Sequence, residues 1–134
     1  MHKRKGDSLI LYFGGAYNGK LEYVKKIYNL TDKDIFYCNK DNIDFNKKVI
    51  SGLDKFILFN ALNGNESLEY IKNNMGKLRD KIIICDEISN GIVPIKKEER
   101  FWREEVGRVL KYLVLNSDEV YKIFFGIPKR LKHE

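Results

Sequence analysis

Eight consecutive residues near the start of the chain, Gly14-Gly15-Ala16-Tyr17-Asn18-Gly19-Lys20-Leu21, have the types and spacing to capture phosphate. They satisfy the pattern GxxxxGK and lack the Ser or Thr that usually follows it. Glycines let backbone N–H groups turn inward and approach phosphate oxygens closely. A helix opening behind them adds partial positive charge, and the Lys20 ammonium reaches the outer phosphates. Leu21 stands where a hydroxyl normally coordinates Mg²⁺, and an isobutyl group has no donor atom for it. The carboxylates able to take over are Asp86 and Glu87, which end the apolar run Lys81-Ile82-Ile83-Ile84-Cys85. Acidic residues at the carboxyl end of a parallel strand face the crevice where ligands of open α/β sheets sit. The chemistry expected is anion capture with Lys20 on the phosphates and Asp86 or Glu87 on a metal ion or a bridging water.

Such a site needs a strand running into the loop and a helix leaving it. Five apolar, β-rich runs fall at Leu9–Phe13, Asp34–Cys38, Lys55–Asn60, Lys81–Asp86 and Glu119–Phe125, and they read as strands. Segments of helical period fall at Gly19–Tyr28, Asp44–Ser51, Glu66–Leu78 and Lys97–Leu115. The order is then βαβαβαβαβ. Almost wholly apolar strands, each followed by a helix, imply a mainly parallel sheet of about five strands covered on both faces, a three-layer α/β domain. The last helix places Trp102, Val106, Val109, Leu110 and Leu113 on one stripe, which reads as core packing and not as a cofactor box.

Composition bounds the alternatives. The 134 residues, 43% of them hydrophobic, suit one domain that buries a core. No apolar stretch approaches the roughly 18 residues of a membrane span, and the charged start Met1-His2-Lys3-Arg4-Lys5 lacks the long apolar region of a secretory signal, so a cytoplasmic protein is expected. Cys38 and Cys85 each lie inside an apolar run without a CxxC or Cys/His neighbour. They read as small buried hydrophobes. The net charge of +6 and pI near 9.2 suit an anionic partner without choosing one. Its densest basic pieces, residues 2–5 and Lys129-Arg130-Leu131-Lys132-His133, read as solvated tails.

From Asp86 onward four further segments align in order: Asp86-Glu87-Ile88-Ser89-Asn90-Gly91-Ile92-Val93-Pro94, Arg100-Phe101-Trp102-Arg103-Glu104-Glu105-Val106-Gly107-Arg108, Ser117-Asp118-Glu119-Val120-Tyr121 and Gly126-Ile127-Pro128-Lys129-Arg130-Leu131-Lys132. With the opening glycine loop they resemble the adenosylcobinamide kinase/adenosylcobinamide-phosphate guanylyltransferase family of cobalamin biosynthesis, over about half of the chain. The resemblance implies a P-loop kinase fold that transfers phosphate from ATP or GTP to the hydroxyl of a cobinamide-like small molecule. It also implies an oligomer, with Gly14 to Lys20 as phosphate loop and Glu87 as the family's glutamate. The family's guanylylated histidine has no counterpart. The loop that would carry it is reduced to about Asn39–Ile43, and the histidines are His2 and His133 at the ends. The acid that ends the family's third strand is replaced by Asn60, an amide that neither carries negative charge nor takes a proton near neutral pH.

Two readings therefore stand side by side: a nucleotide-dependent kinase of this kind, and a non-catalytic nucleotide-binding or interaction protein derived from it. A third, nucleic-acid binding through Tyr12, Tyr17, Phe36 and Tyr37 if they are exposed, is least supported, because most of these aromatics sit in strand runs where burial is expected.

Overall fold

The computed structural model describes residues 8–15, 19–40, 42–88 and 97–132. In chain order the elements are β1 (Ile10–Gly14), α1 (Lys20–Ile27), β2 (Ile35–Tyr37), β3 (Val49–Ser51), α2 (Leu53–Leu62), α3 (Leu68–Asn73), α4 (Met75–Leu78), β4 (Ile82–Asp86), α5 (Lys97–Asn116), β5 (Glu119–Phe124) and β6 (Ile127–Lys132). The six strands form one sheet in the order β2-β3-β4-β1-β5-β6. Every pairing is parallel except β5 with β6, which is antiparallel. The molecule is thus α/β, as the sequence pattern implies.

The central strands are apolar on both sides because both sides are covered. Along β1 and β4 the side chains alternate, as the period of a strand demands. Leu11, Phe13, Ile83 and Cys85 enter a core shared with α2 and α5, whereas Tyr12, Ile82 and Ile84 enter a second core with Val24 of α1. The α5 stripe behaves as expected, with Val106, Val109, Leu110 and Leu113 buried and Trp102 packed against them. The two faces follow from chain direction. The connection through α1 carries the chain from β1 to β2 at one edge, while α5 carries it the opposite way, past β1, to β5. Right-handed crossovers running in opposite directions lay their helices on opposite faces.

Four expectations are overturned. Residues 55–60 are not a strand but the body of α2, which buries Phe56, Ile57, Asn60 and Ala61 at helical spacing. A short apolar run carries no decisive period, and here Gly52, in the left-handed conformation at φ 75°, opens a helix. The third strand is Val49–Ser51, within the segment expected as a helix over 44–51, and it is fully buried between β2 and β4. The basic segment Lys129–Lys132 is not a tail but part of β6, a sixth strand. The Lys132 ammonium donates to the backbone O of Leu115 at 2.9 Å and of Val114 at 3.3 Å, satisfying carbonyls at the end of α5. The helix expected over 66–78 is also split in two at Asn74, whose side-chain amide donates to the Tyr70 carbonyl.

Among the described residues no helix is long and apolar enough to cross a membrane. Both cysteines are free and buried, and burial pushes the Cys38 thiol up to about 12 and the Cys85 thiol well above its ordinary value. Tyr12 is buried and stacks on Tyr121 with ring centroids 4.8 Å apart. Phe36 packs against the core. Tyr37 is exposed and Tyr17 lies outside the described residues.

Candidate functional site

The parallel register sets Gly14, the last residue of β1, beside Asp86, the last residue of β4. The backbone continues this pairing one step further, since Glu87 N–H donates to Gly14 O at 2.7 Å. On the other side of β1, Phe13 lies level with Lys122 of β5. Two acids and a lysine are thereby brought to the end of β1, where the glycine-rich segment begins, by strand register. Gly14 is required by close approach. A Cβ there would stand 2.6 Å from the Ile123 carbonyl oxygen, well inside contact distance. Gly19 closes the loop in the left-handed conformation, at φ 77°, and α1 begins at the next residue.

That next residue is Lys20, which is only 5% exposed. Its ammonium donates to the Gly15 carbonyl at 2.7 Å and forms an ion pair with Asp86 Oδ1 at 2.7 Å. A buried ammonium is tolerated when it is paired and hydrogen-bonded, and these two partners meet that condition. Below Asp86 lies Asp54, in the first turn of α2 and only 4% exposed. Its Oδ1 accepts the Asp86 backbone N–H at 2.9 Å, while its own carbonyl accepts the Trp102 indole N–H at 2.9 Å. Burial raises the Asp54 pKa, and the negative charge of Asp86 adds to the shift. Glu87 takes a different partner, with Oε2 3.2 Å from the Lys122 ammonium. Lys122 itself lies 5.7 Å from the centre of the Phe13 ring and 5.1 Å from that of Phe124.

No protein-family model matches this chain, and no curated protein matches it.

Of the residues expected at the site, Gly14, Gly15, Gly19, Lys20, Asp86 and Glu87 stand together at one end of the sheet. Ala16, Tyr17 and Asn18 lie outside the described residues. Leu21 is half-buried and packs into the core beneath α1. Asn60 does not end a strand. It lies inside α2, where its side-chain amide donates to Ser67 Oγ at 3.1 Å. Reading it as a replaced strand-end acid is therefore corrected, because the strand in question ends at Ser51. Two residues at the site were not anticipated, Asp54 and Lys122. The pair Ser51-Gly52 after the β-branched Val49-Ile50 is the signal that could have revealed the strand and hence Asp54. Nothing local marks Lys122, whose position depends on register between strands far apart in the chain.

The donor set also tests whether the site holds a resident Mg²⁺. Among the described residues no three His, Cys, Asp or Glu side chains are grouped so that they could hold a metal ion. The nearest carboxylate, Asp86, is already on Lys20, and Leu21 offers no oxygen. Mg²⁺ prefers near-octahedral oxygen ligation, and these residues do not supply it unaided. What they do supply is an ammonium beside a glycine-rich turn and a helix start, an arrangement suited to a multiply charged anion.

Proposed function

We propose that this chain is a nucleotide-binding protein of P-loop, three-layer type, holding the phosphates of ATP or GTP over residues 14–20. The observation that carries the reading is Lys20, a nearly buried ammonium at the first residue of α1, held at the loop mouth by Gly15 O and Asp86. A lysine gains nothing from such burial in folding alone, because desolvating a charge offsets its pairing energy. An incoming phosphate would replace Asp86 with a stronger anionic partner. The sheet order supports the same place. The connections leaving β1 and β4, adjacent strands, run in opposite directions, and open α/β sheets bind ligands at such a divergence.

A fluorescent-nucleotide titration with ATP and GTP analogues tests this. Saturable binding is expected, and Lys20→Ala should weaken it at least tenfold, on the order of one lost charge-assisted hydrogen bond. Absence of binding to either nucleotide would overturn the reading.

A second reading, phosphoryl transfer to a cobinamide-like alcohol, is favoured by Glu87. Its side chain is 37% exposed at the strand ends, so a hydroxyl could approach it and give up its proton as the oxygen attacks the terminal phosphorus, the bond from that phosphorus to the bridging oxygen breaks, and the nucleoside diphosphate leaves. Positioning and charge neutralisation would supply most of the rate. Under this reading Glu87→Gln abolishes turnover with ATP and cobinamide and leaves nucleotide affinity within about twofold. No turnover by the unmodified protein would leave the binding role alone.

A further inference from the structure

The turn that joins β5 to β6 is built against its own local preferences. Its two central residues, Phe125 and Gly126, have φ of 50° and 77°, the double left-handed signature of a tight two-residue hairpin turn. Glycine, Asn and Asp suit such positions, and a bulky side chain is a genuine outlier there. Phe125 gains no packing in exchange, because its ring is 90% exposed. Phe124 and Ile127, paired across the turn, are exposed as well. A costly backbone conformation combined with a solvent-facing aromatic points to a use outside folding.

The turn also lies against the phosphate loop. Gly126 Cα is 3.7 Å from where a Cβ on Gly19 would stand, and Gly14 lies under the Ile123 carbonyl. The β5 end thus approaches both ends of the loop. Between the turn and the strand ends, Lys122 spans from the Phe124 ring to the Glu87 carboxylate. The turn that carries Phe125 thus borders the proposed anion site.

We infer that Phe125 is a stacking platform for the nucleoside base of the nucleotide whose phosphates lie over residues 14–20. The inference rests on the phosphate-binding reading of that loop. Base–aromatic stacking is tolerant of base identity, since every base presents a π-face. ATP and GTP are therefore both accepted, and the phosphate loop sets the register of the ligand while the ring adds affinity for its other end.

The test compares ATP, GTP and inorganic tripolyphosphate by calorimetry on the full chain and on Phe125→Ala and Phe125→Trp. An exposed turn residue can be changed without touching the core, and far-ultraviolet circular dichroism checks that the fold is kept. The unmodified protein should bind ATP and GTP about tenfold more tightly than tripolyphosphate. Phe125→Ala should remove that margin while tripolyphosphate affinity stays the same, and Phe125→Trp should keep it. If tripolyphosphate binds and Phe125→Ala leaves nucleotide affinity unchanged, the platform is wrong and the phosphate site stands. If the same variant instead converts a dimer to a monomer in sedimentation with nucleotide affinity unchanged, the ring is a self-association contact and the inference is likewise overturned. If neither tripolyphosphate nor nucleotide binds, the phosphate site itself fails and the platform falls with it.

Discussion

Replacing Asp86 by asparagine separates two roles for that carboxylate. As counter-ion to Lys20, at 2.7 Å, it holds the ammonium that the proposed phosphate would need, and its charge would repel that anion. A single further negative charge about 6 Å away is repelled by roughly 3 kcal/mol at an effective dielectric near 20, and by about 0.7 kcal/mol in water. The Asp86 side chain is 29% exposed, so the cost falls between these limits, at about 1–2 kcal/mol. Asp86→Asn should therefore bind tripolyphosphate about tenfold more tightly in EDTA, while the ligand-free protein loses stability because Lys20 is left buried without its charged partner. The backbone N–H of residue 86 still reaches Asp54, so the local frame survives. Calorimetry in EDTA and in Mg²⁺ measures both arms. If Asp86 instead serves as a metal ligand, the variant binds nucleotide several-fold more weakly in Mg²⁺ and shows no gain in EDTA. Unchanged or weaker metal-free binding would refute the counter-ion argument.

Three other outcomes follow from the geometry. Gly14→Ala forces a methyl to within 2.6 Å of the Ile123 carbonyl and should cost about 2–3 kcal/mol, a fall in Tm of about 10 °C by calorimetry; an unchanged Tm would mean that the strand ends are not so close. Asp54, with its native pKa raised above the unfolded value of about 3.9, stabilises the fold most when protonated, and that contribution is lost as pH rises through the raised native value. Asp54→Asn keeps an acceptor for the Asp86 N–H and removes the charge, so in urea titrations the variant should gain on the unmodified protein as pH rises from the unfolded value through the raised native one, whereas a pH-independent difference would refute the assignment. Both thiols should be inert to a disulfide reagent at pH 8 in the folded protein and react in urea, given their burial and raised pKa values; rapid reaction of either in the native state would contradict the packing.

How much of this was legible in the sequence depended on the range of the information. β1, β4 and α5 have long apolar runs or a sustained helical stripe, and they lie where the pattern puts them. The glycine loop is marked by its own residues. The middle of the chain failed because β3 is three residues long, too short to show alternation, whereas Phe56–Phe59 is apolar enough to pass for a strand. That single misplacement also hid Asp54 and misread Asn60. β6 was missed for a different reason. As a sheet edge it is largely exposed and rich in Lys and Arg, a composition that protects an edge from pairing with other chains and looks identical to a solvated tail.

The same contrast bears on function. The residues proposed to hold an anion are contiguous in sequence, from Gly14 to Lys20. The groups that would decide between binding and catalysis arrive from β4, β5 and α2, and in this structure each is already paired: Asp86 with Lys20, Glu87 with Lys122, and Asp54 with the Asp86 backbone. Binding requires one of these pairs to exchange, that of Lys20, and phosphate itself supplies the replacement charge. Transfer requires a second exchange at Glu87, with a neutral hydroxyl offering no charge in return for Lys122. Removing Lys122 should therefore act on catalysis before it acts on binding: Lys122→Met frees Glu87, leaves Lys20 untouched, and should change nucleotide affinity by no more than about threefold, as expected for an exposed pair at the edge of the site. A loss of affinity as large as that in Lys20→Ala would place Lys122 on the phosphates instead and make it a second anchor of the anion.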